Sequence, residues 1–370
     1  MKNPKAAFLA AALLASISFV VTAEAVNPRN TAKLTTTNRY VKVLQANIGN
    51  SNLNCGLASY WKLCLQNVEN AIRDRVAQIN PDVVLLNELH PDWLCRNNAA
   101  TWPNGVCESY KTRIVRDQVR RVLGSNYTIV CDPWHGWDCI GIKRIVAGVA
   151  TTVANDTAGR TCPSGYLCGY ATDFSNGDST ATNKEPYFQE YHATYNSSSV
   201  DGGFHMLYVD ATINGVPMRI INGHPQSGGS GTGANEQARS VQIGNAFSQW
   251  AAGQSSVLLG GDINTDVYTW NGDVSVQTWR TYVDNYDSNG NRTDKSYWFH
   301  SGVAENGGTW LPKYTFSYVV NRRYDNVISN FMYGRCTTMD SSLSTSPAYR
   351  LTGPITGMDH SASVCSLYYY

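Results

Sequence analysis

The chain has 370 residues, a formal net charge of +1 at pH 7 and 42% hydrophobic residues. The near-neutral balance excludes a strongly basic protein that binds nucleic acid through its overall charge, although an enzyme needs only a local basic patch. The length and apolar content suit one large domain or two small ones with an extensive core. Because neither an internal repeat nor a proline- or charge-rich linker divides the sequence, we predict a single domain.

The N-terminus has the features of a secretory signal peptide over residues 1–25. Two lysines precede an apolar, alanine-rich run over residues 6–21, and Ala-Glu-Ala at residues 23–25 supplies the small side chains that a signal peptidase reads. The run is short for a membrane-spanning helix, and no later segment is long and apolar enough. We therefore predict a secreted protein, extracellular or periplasmic, without a transmembrane segment. Residues 26–38 are polar and are predicted to be a flexible lead-in to a domain over residues 39–370.

Ten cysteines in an exported chain predict disulfide bonds. Their spacing suggests four local pairs and one long-range pair: Cys55 with Cys64, Cys95 with Cys107, Cys131 with Cys139, Cys162 with Cys168, and Cys336 with Cys365. Spacing does not fix connectivity, so other pairings stay open. A metal cluster is the competing interpretation, but the sequence contains no Cys-x-x-Cys.

A strand, a helix and a second strand follow the lead-in. Alternating apolar residues predict a strand over residues 40–48. Apolar residues at spacings of three and four predict a helix over residues 65–79, which Asn-Pro-Asp at residues 80–82 ends. The wholly apolar run at residues 83–86 is typical of a strand that is buried on both faces. This order is a βαβ unit, which makes its two strands parallel.

A second unit of the same kind lies later in the chain. Strands are predicted over residues 218–222 and 257–259, and apolar residues at helical spacing predict a helix over residues 235–251 between them. Further short strands are predicted at residues 206–210, 327–328 and 362–367. Segments rich in small and polar residues, at about 151–201 and 271–310, are predicted to be long surface loops of the kind that often hold substrate.

Polar side chains occur where the predicted strands begin or end. Those at carboxyl ends are Asn47, Glu88, His224, Asp262 and Asn264, and those at amino ends are Asp325, Asp359 and His360. Ligands of parallel sheets gather at the carboxyl ends of strands, so the first group is expected at one rim. The later strands must run antiparallel to bring the second group to the same rim. The pattern therefore predicts mixed sheets with one shared site.

One part of this set suits a metal ion. Glu88, supported by Asn47 and Asp359, offers the oxygen ligands that a hard divalent cation prefers. Such a cation neutralises the charge of a phosphodiester and polarises its phosphorus. We therefore predict an Mg²⁺ site, with Mn²⁺ or Ca²⁺ as alternatives. Asp262 is suited to orient and deprotonate the attacking water.

The remaining polar residues suit proton transfer. His360 titrates near neutral pH, and Asp325 behind it would fix its tautomer and raise its basicity. His224 is suited to stabilise the phosphorane or to protonate the leaving oxygen, and Asn264 to donate hydrogen bonds to phosphate oxygens. Each residue alone has an ordinary structural interpretation, such as a turn, a strand end or a core histidine. The functional interpretation depends on all of them occurring in one order at the edges of apolar strands.

That order resembles the endonuclease/exonuclease/phosphatase superfamily, whose members include deoxyribonuclease I-like nucleases, bacterial sphingomyelinases and inositol phosphatases. The matching motifs are Leu44-Gln45-Ala46-Asn47-Ile48, Leu86-Asn87-Glu88, Asn222-Gly223-His224-Pro225-Gln226, Gly260-Gly261-Asp262-Ile263-Asn264, Arg323-Tyr324-Asp325-Asn326-Val327-Ile328 and Met358-Asp359-His360. The resemblance implies a four-layered α/β sandwich, with two stacked mixed β-sheets flanked by helices. It also implies the metal role of Glu88 and Asn47, the water-orienting role of Asp262 and the pairing of Asp325 with His360.

The sequence departs from the pattern of that superfamily at several positions. Asn87 stands where a glutamine usually precedes the glutamate, and Pro225 stands where a branched apolar residue usually follows the histidine. Many nucleases of the deoxyribonuclease I type carry a DNA-contacting arginine where this chain has His90. The final motif begins with Met358 rather than serine, and Ser361 follows it. These departures leave the predicted metal and proton-transfer residues intact.

Three functions follow as hypotheses. The first is a secreted Mg²⁺-dependent phosphodiesterase that hydrolyses by metal-assisted water attack, with nucleic acid as the favoured substrate. The second is the same chemistry on a phospholipid head group, as in a sphingomyelinase or a phospholipase C. The third is a non-catalytic binding module on the same fold, which the complete set of polar residues argues against. A basic rim beside Glu88 would favour nucleic acid, and an apolar hairpin there would favour a membrane.

Overall fold

The computed structural model describes residues 40–49, 63–90, 118–131, 137–153, 166–173, 183–195, 198–201, 206–228, 231–266, 272–283, 295–300, 303–304, 311–312, 324–339 and 360–369. The helices in these ranges are α1 (Gln66–Ile79), α2 (Gln118–Leu123), α3 (Ala234–Asn245), which continues as a π-helical turn (Ala246–Trp250), and α4 (Val274–Tyr282). The strands are β1 (Tyr40–Asn47), β2 (Val83–Asn87), β3 (Tyr127–Cys131), β4 (Cys139–Lys143), β5 (Ile145–Val146), β6 (Val149–Ala150), β7 (Thr152–Val153), β8 (Tyr166–Asp173), β9 (Asn183–Tyr195), β10 (Ser198–Asp201), β11 (Met206–Ile213), β12 (Val216–Gly223), β13 (Val257–Asp262), β14 (Trp298–Phe299), β15 (Val303–Ala304), β16 (Leu311–Pro312), β17 (Asp325–Ser329), β18 (Met332–Met339) and β19 (Ala362–Tyr369).

Both predicted βαβ units are present. Strand β1 pairs parallel with β2, and β12 pairs parallel with β13. Helix α1 buries Val68, Ile72 and Val76, the apolar stripe that its sequence spacing predicted. It ends at Asn80, whose backbone has a φ of 51° and whose N–H caps the carbonyl of Val76. The helix predicted over residues 235–251 is α3 followed by its π-helical turn.

The predicted directions of the later strands are also confirmed. Strand β17 runs antiparallel to β13, and β19 runs antiparallel to β1. The amino end of β17 therefore meets the carboxyl end of β13, where Asp325 lies opposite Asp262. The segment that precedes β19 likewise meets the carboxyl end of β1. This topology collects strand beginnings and strand ends at one edge.

The described strands form two halves that are stacked face to face. Strands β18, β19, β1, β2, β4 and β3 form the first half, and β11, β12, β13, β17 and β14 form the second. Strands β8 and β9 connect the halves in one hydrogen-bonded path. One apolar cluster lies between the halves, a second lies between the first half and helices α1 and α2, and a third lies between the second half and helices α3 and α4. The predicted α/β sandwich of two mixed sheets flanked by helices is confirmed.

These layers arise because successive side chains along each strand point to opposite faces of the sheet. Val43 and Leu44 are neighbours in β1, yet Val43 belongs to the cluster between the halves and Leu44 to the cluster under the helices. Successive strand residues face opposite sides of a sheet, so a strand that is covered on both sides must be apolar on both. Each large aliphatic side chain that is buried in this way contributes about 1.5–3 kcal/mol.

The prediction of long loops at residues 151–201 and 271–310 is wrong. Strands β8 and β9 form an antiparallel pair within the first segment. Whether a segment forms a strand depends on the strands beside it, and the apolar periodicity of the segment alone does not show those neighbours. The second segment contains α4, whose amino end is capped by Asp273 through a 2.7 Å hydrogen bond from the Ser275 N–H. Helix α4 buries Val276 and Trp279, so the helix has an apolar face, but the pattern extends over only nine residues.

Two of the predicted disulfides are present, Cys131–Cys139 and Cys336–Cys365. Each joins residues that lie directly opposite each other in adjacent strands. Cys64 is also disulfide-bonded. Its predicted partner and the other two predicted pairs involve residues outside the described ranges or side chains that are not described. Among the described helices, none is both long and apolar enough to cross a membrane.

A buried histidine gives the second half a predicted dependence on pH. The His300 ring lies 2.7 Å from the Ser329 hydroxyl, and burial lowers its pKa from 6.5 to about 4. Below pH 6.5 the unfolded chain takes up a proton at this residue and the folded chain does not, so stability is lost as the pH falls from 6.5 to 4. The loss is on the order of 3 kcal/mol.

The substitution His300→Gln should flatten this part of the pH profile of unfolding free energy, which denaturant titrations at several pH values measure. Comparison with wild type isolates His300 from the carboxylates that titrate in the same range. An identical slope in the two proteins between pH 6.5 and pH 4 would contradict the assignment.

Candidate active site

Two buried asparagines join the two halves of the sheet at the rim. The Asn222 amide donates hydrogen bonds of 3.0 Å to the carbonyls of Leu86 and Cys139 in the first half. The Asn87 amide donates 3.3 Å hydrogen bonds to the Gly223 carbonyl and to the Asn222 side chain in the second half. Both asparagines are fully buried, so each of these bonds would be costly to leave unmade. They fix the position of one sheet edge against the other.

A glycine permits the close approach of β12 and β13 at this edge. The backbone of Gly261 has a φ of +131°, a conformation that side chains rarely adopt. A Cβ atom at this position would lie 2.1 Å from the Gly223 carbonyl oxygen. The Gly-Asp-x-Asn motif therefore begins with glycine for a steric reason, and the next residue, Asp262, is delivered to the rim.

Asp262 lies at the centre of the site. Its backbone N–H donates to the Asn87 side chain at 3.1 Å, and its Oδ1 accepts the Asn264 N–H at 3.0 Å. Its Oδ2 accepts a 3.0 Å hydrogen bond from the Asn47 amide. The same Oδ2 lies 4.0 Å from Nε2 of His224 and 3.7 Å from Nε2 of His360. One carboxylate oxygen thus faces both imidazoles that the sequence singled out.

His360 and Asp325 form the pair that the sequence resemblance implied. Nδ1 of His360 lies 2.7 Å from Oδ2 of Asp325, which fits Nδ1 as the donor. The other oxygen of Asp325 accepts a 2.8 Å hydrogen bond from the Gln45 amide. Burial raises the pKa of Asp325, and the neighbouring His360 opposes that rise. The aspartate holds the ring so that Nε2 faces Asp262.

His224 has a buried aspartate partner that sequence reasoning missed. Nδ1 of His224 lies 2.9 Å from Oδ1 of Asp138, which is fully buried and also accepts the Asn87 amide at 2.9 Å. Asp138 directly precedes β4, a strand that the sequence analysis did not predict. Because β4 runs antiparallel to β2, its amino end lies at the same rim. An acidic residue before an apolar strand was the available signal.

The charge around His224 changes its protonation. Burial lowers the pKa of His224, but the carboxylates of Asp138, Asp262 and Glu88 together outweigh burial and leave the pKa raised. The positively charged ring is therefore favoured relative to an isolated histidine in the same apolar surroundings.

Glu88 extends from the carboxyl end of β2 in an uncommon backbone conformation. Its φ is 61°, which costs about 1–3 kcal/mol in a residue other than glycine. The Leu63 N–H donates a 3.0 Å hydrogen bond to its carbonyl and helps to hold this turn. Its carboxylate is partly exposed, and Oε1 lies 3.7 Å from Nε2 of His224. This carboxylate therefore lies at the mouth of the site.

The donor set fits a divalent cation. Glu88, Asp138, Asp262 and Asp325 bring four carboxylates to a rim where the ion pairs described are with His224 and His360. The Asn47 amide nitrogen donates to Asp262, and its amide oxygen accepts the Gly49 N–H and has a second lone pair for a metal ion. Hard oxygen donors of this kind suit Mg²⁺ or Ca²⁺.

A second possible arrangement lies deeper. Ligand atoms of Asp262, Asp325 and His360 all lie within 4.8 Å of one another, and the three residues are buried. Two of these residues already share the 2.7 Å hydrogen bond between Asp325 and His360. The partly exposed Glu88 is therefore the better anchor for an ion that must also meet a substrate. Asp359, the third predicted ligand, lies outside the described residues.

Asn264 is at the site but has a structural contact. Its backbone φ is 51°, and its side-chain amide donates a 3.0 Å hydrogen bond to the Pro225 carbonyl. One of its two amide hydrogens thus supports the loop that follows His224. The other is the group that the predicted phosphate contact requires.

No model of a protein family matches the chain, and no curated protein matches it in sequence. Similar solved structures include TDP2 from C. elegans, with a TM-score of 0.48 and 14% identity over 94% of this chain and 82% of that chain. The human Nocturnin catalytic domain with bound sulfate has a TM-score of 0.45 and 12% identity over 90% and 94% of the two chains. An endonuclease/exonuclease/phosphatase from Bacteroides vulgatus has a TM-score of 0.47 and 11% identity over 90% and 99%.

All three TM-scores are below 0.5 and all three identities are below 25%, so no property of these proteins is transferred to this chain. The function is therefore inferred from the side chains of the site.

The aspartate behind His224 can be tested directly. We expect Asp138→Asn to lower the pKa of His224, because the substitution removes the carboxylate that raises it most and leaves burial, which lowers it. A two-dimensional NMR titration of the imidazole resonances measures this shift. Asp74→Asn, on the exposed face of α1, is the matched control. An unchanged or raised pKa in the Asp138 variant would show that this contact does not set the charge of His224.

Proposed function

We propose that this chain is a secreted, divalent-metal-dependent phosphodiesterase that hydrolyses its substrate by direct attack of water, with nucleic acid as the favoured substrate. The observation that carries the proposal is the position of the Asp262 Oδ2, which lies within 4.0 Å of Nε2 of His224 and of His360. Each of these rings is in turn hydrogen-bonded to a buried aspartate. Two oriented imidazoles around one carboxylate suit acid–base chemistry, since orientation fixes which nitrogen carries the proton.

The metal would be held by Glu88 and Asn47, with Asp359 as the further ligand that the sequence suggests. We favour Mg²⁺, with Mn²⁺ or Ca²⁺ as alternatives, because the ligands are oxygen atoms. When bound, such an ion neutralises phosphate charge and polarises the phosphorus. The side chains of the protein itself orient the water and transfer the protons.

Asp262 orients the attacking water and accepts its proton in this proposal. Its backbone N–H donates to Asn87, and its two carboxylate oxygens accept from Asn264 and Asn47. The carboxylate is therefore already oriented and needs little reorganisation during the reaction. His360, held by Asp325, is close enough to share that proton. His224, whose pKa is raised, donates to the phosphorane or to the leaving oxygen. Asn264 has one amide hydrogen for a phosphate oxygen.

Export and domain organisation are part of the same proposal. Residues 1–25 would be removed as a signal peptide, residues 26–38 would be a lead-in, and residues 39–370 would form the catalytic domain. The disulfides Cys131–Cys139 and Cys336–Cys365 support this, because such bonds persist in oxidising compartments.

One observation bears on the choice between nucleic acid and phospholipid. Large exposed apolar side chains occur at Ile145 and Val149, on the hairpin of β5 and β6. This hairpin follows the carboxyl end of β4. Because β4 is antiparallel to β2, that end lies beside Val83, at the opposite end of the strands from Glu88. The described apolar hairpin is therefore not beside the site, and it gives no support to a sphingomyelinase- or phospholipase C-type substrate.

The proposal predicts which substrates are cleaved. Purified protein is assayed on supercoiled plasmid, RNA, sphingomyelin liposomes and bis(p-nitrophenyl) phosphate, each with Mg²⁺ and with EDTA. We expect that the protein cleaves a nucleic acid in the presence of Mg²⁺ and that EDTA abolishes this cleavage. Cleavage of liposomes alone would transfer the assignment to the phospholipid alternative. Failure on every substrate with any of Mg²⁺, Mn²⁺ or Ca²⁺ would favour a non-catalytic binding module.

The proposed roles also predict the effect of substitutions. His224→Ala and His360→Ala should each lower kcat by roughly two to four orders of magnitude while circular dichroism shows a folded chain. Asp74→Asn, which lies on an exposed helix face, is the control and should retain activity. If both histidine variants kept the turnover of wild type, the acid–base assignment would have to be abandoned.

A further inference from the structure

Two buried glutamines hold the backbone behind the site in the same way. Oε1 of Gln118 accepts the N–H of His90 at 2.7 Å, and His90 lies two residues after Glu88. Oε1 of Gln242 accepts the N–H of Gln226 at 2.7 Å, and Gln226 lies two residues after His224. Both glutamines lie on helices, and their exposures are 2% and 6%. Each helix therefore contacts a loop that leaves the carboxyl end of a strand.

The contact behind Glu88 belongs to a buried charged network. The Gln118 amide donates at 3.0 Å to the Leu63 carbonyl and at 3.0 Å to Oε2 of Glu69 on α1. Glu69 also accepts two hydrogen bonds, of 2.6 and 2.9 Å, from Arg121 on α2. Leu63 in turn donates to the Glu88 carbonyl. The left-handed turn at Glu88 is thus held from both sides, and Gln118 cannot reorient without losing its hydrogen bonds to Leu63 and to the buried Glu69.

The contact behind His224 has a second network of the same kind. Arg239, one turn before Gln242 on α3, is fully buried and donates to the carbonyls of Gln226 and Gly228 at 3.1 and 2.8 Å. Its guanidinium forms a 2.6 Å ion pair with Asp273, which is also buried and caps α4. Helix α3 therefore forms hydrogen bonds with both the N–H and the carbonyl of Gln226. Gln226 and Gly228, in the loop that follows His224, are therefore fixed to α3.

We propose that Gln118 and Gln242 are positioning residues with separate targets. Gln118 fixes the loop of Glu88 and so sets the affinity for the metal, and Gln242 fixes the loop of His224 and so sets the rate of proton donation. This inference rests on the proposed function of Glu88 and His224. The two networks involve different helices and different loops, so their effects should be separable.

The matched substitutions are Gln118→Met and Gln242→Met. Each removes the acceptor for one loop N–H, conserves the side-chain volume and adds no buried charge. Gln118→Met also removes the hydrogen bonds that the Gln118 amide donates to Leu63 and Glu69. Gln118→Met should weaken Mg²⁺ binding, measured by calorimetry without substrate, by roughly 10- to 100-fold, as for other groups that orient metal ligands. It should leave kcat at saturating Mg²⁺ unchanged. Gln249→Met, on the exposed side of the π-helical turn, is the control.

Gln242→Met should show the reverse pattern. We expect Mg²⁺ affinity to stay at the wild-type value and kcat to fall by roughly 10- to 100-fold. The ¹³C relaxation of the His224 ring should show increased mobility in this variant and not in Gln118→Met. If both variants lose only thermal stability, or if each changes affinity and kcat alike, the two glutamines are structural and the proposal is overturned.

Hydrogen exchange of the wild-type protein tests the same contacts without any variant. The amides of His90 and Gln226 should exchange at the rate of global unfolding, although both lie outside regular secondary structure. Exchange of either amide at the rate of an open loop would overturn the proposal. These amide and ring measurements require neither substrate nor metal. An inactive wild-type protein would therefore refute the proposed function, while the measurements would still decide whether the loops are held.

Discussion

The site depends on the buried amides of Asn87 and Asn222, which hydrogen-bond across the two halves of the sheet. Apolar packing between the halves is strong but non-directional, so it does not by itself fix how far one sheet slides over the other. Each hydrogen bond adds only about 0.5–1.5 kcal/mol, yet a buried amide left unpaired costs about 1–3 kcal/mol. The amides therefore select one alignment, in which Glu88 and His224 come together.

The other polar contacts at the rim extend this alignment to the proton-transfer groups. Asn47 and Gln45 both lie on β1 in the first half, and they hydrogen-bond to Asp262 and Asp325 in the second. Glycine at position 261 allows β13 to lie close to β12 beside these bonds. Farther from the rim, Gln118 and Gln242 secure the loops against the helices. The result is a fixed group of carboxylates and imidazoles. The free energy needed to bring the like-charged carboxylates together is supplied by folding.

The sequence allowed β1, α1 and β2 to be predicted, because β1 alternates, α1 has an apolar period of 3.6 and β2 is an apolar run. The layers were implied by the resemblance to the superfamily. The carboxyl ends of β1, β2 and β13 then located Asn47, Glu88 and Asp262. Asp138 was not selected, because the strand that follows it was not among the predicted strands and its partner lies 86 residues away. Strands β8 and β9 were missed because their polar segments depend on neighbouring strands. The second contact of Asn264, to Pro225, likewise depends on tertiary structure.

The central claim is that side chains from distant parts of the chain converge on one divalent ion beside Glu88. The most direct measurement is anomalous diffraction from crystals soaked in Mn²⁺, whose scattering locates the ion without a substrate. We expect a peak within bonding distance of the Glu88 carboxylate and the Asn47 amide oxygen, on the side that faces Asp262. A crystal with no peak at Glu88, or with its ion bound only between Asp325 and His360, would contradict this account.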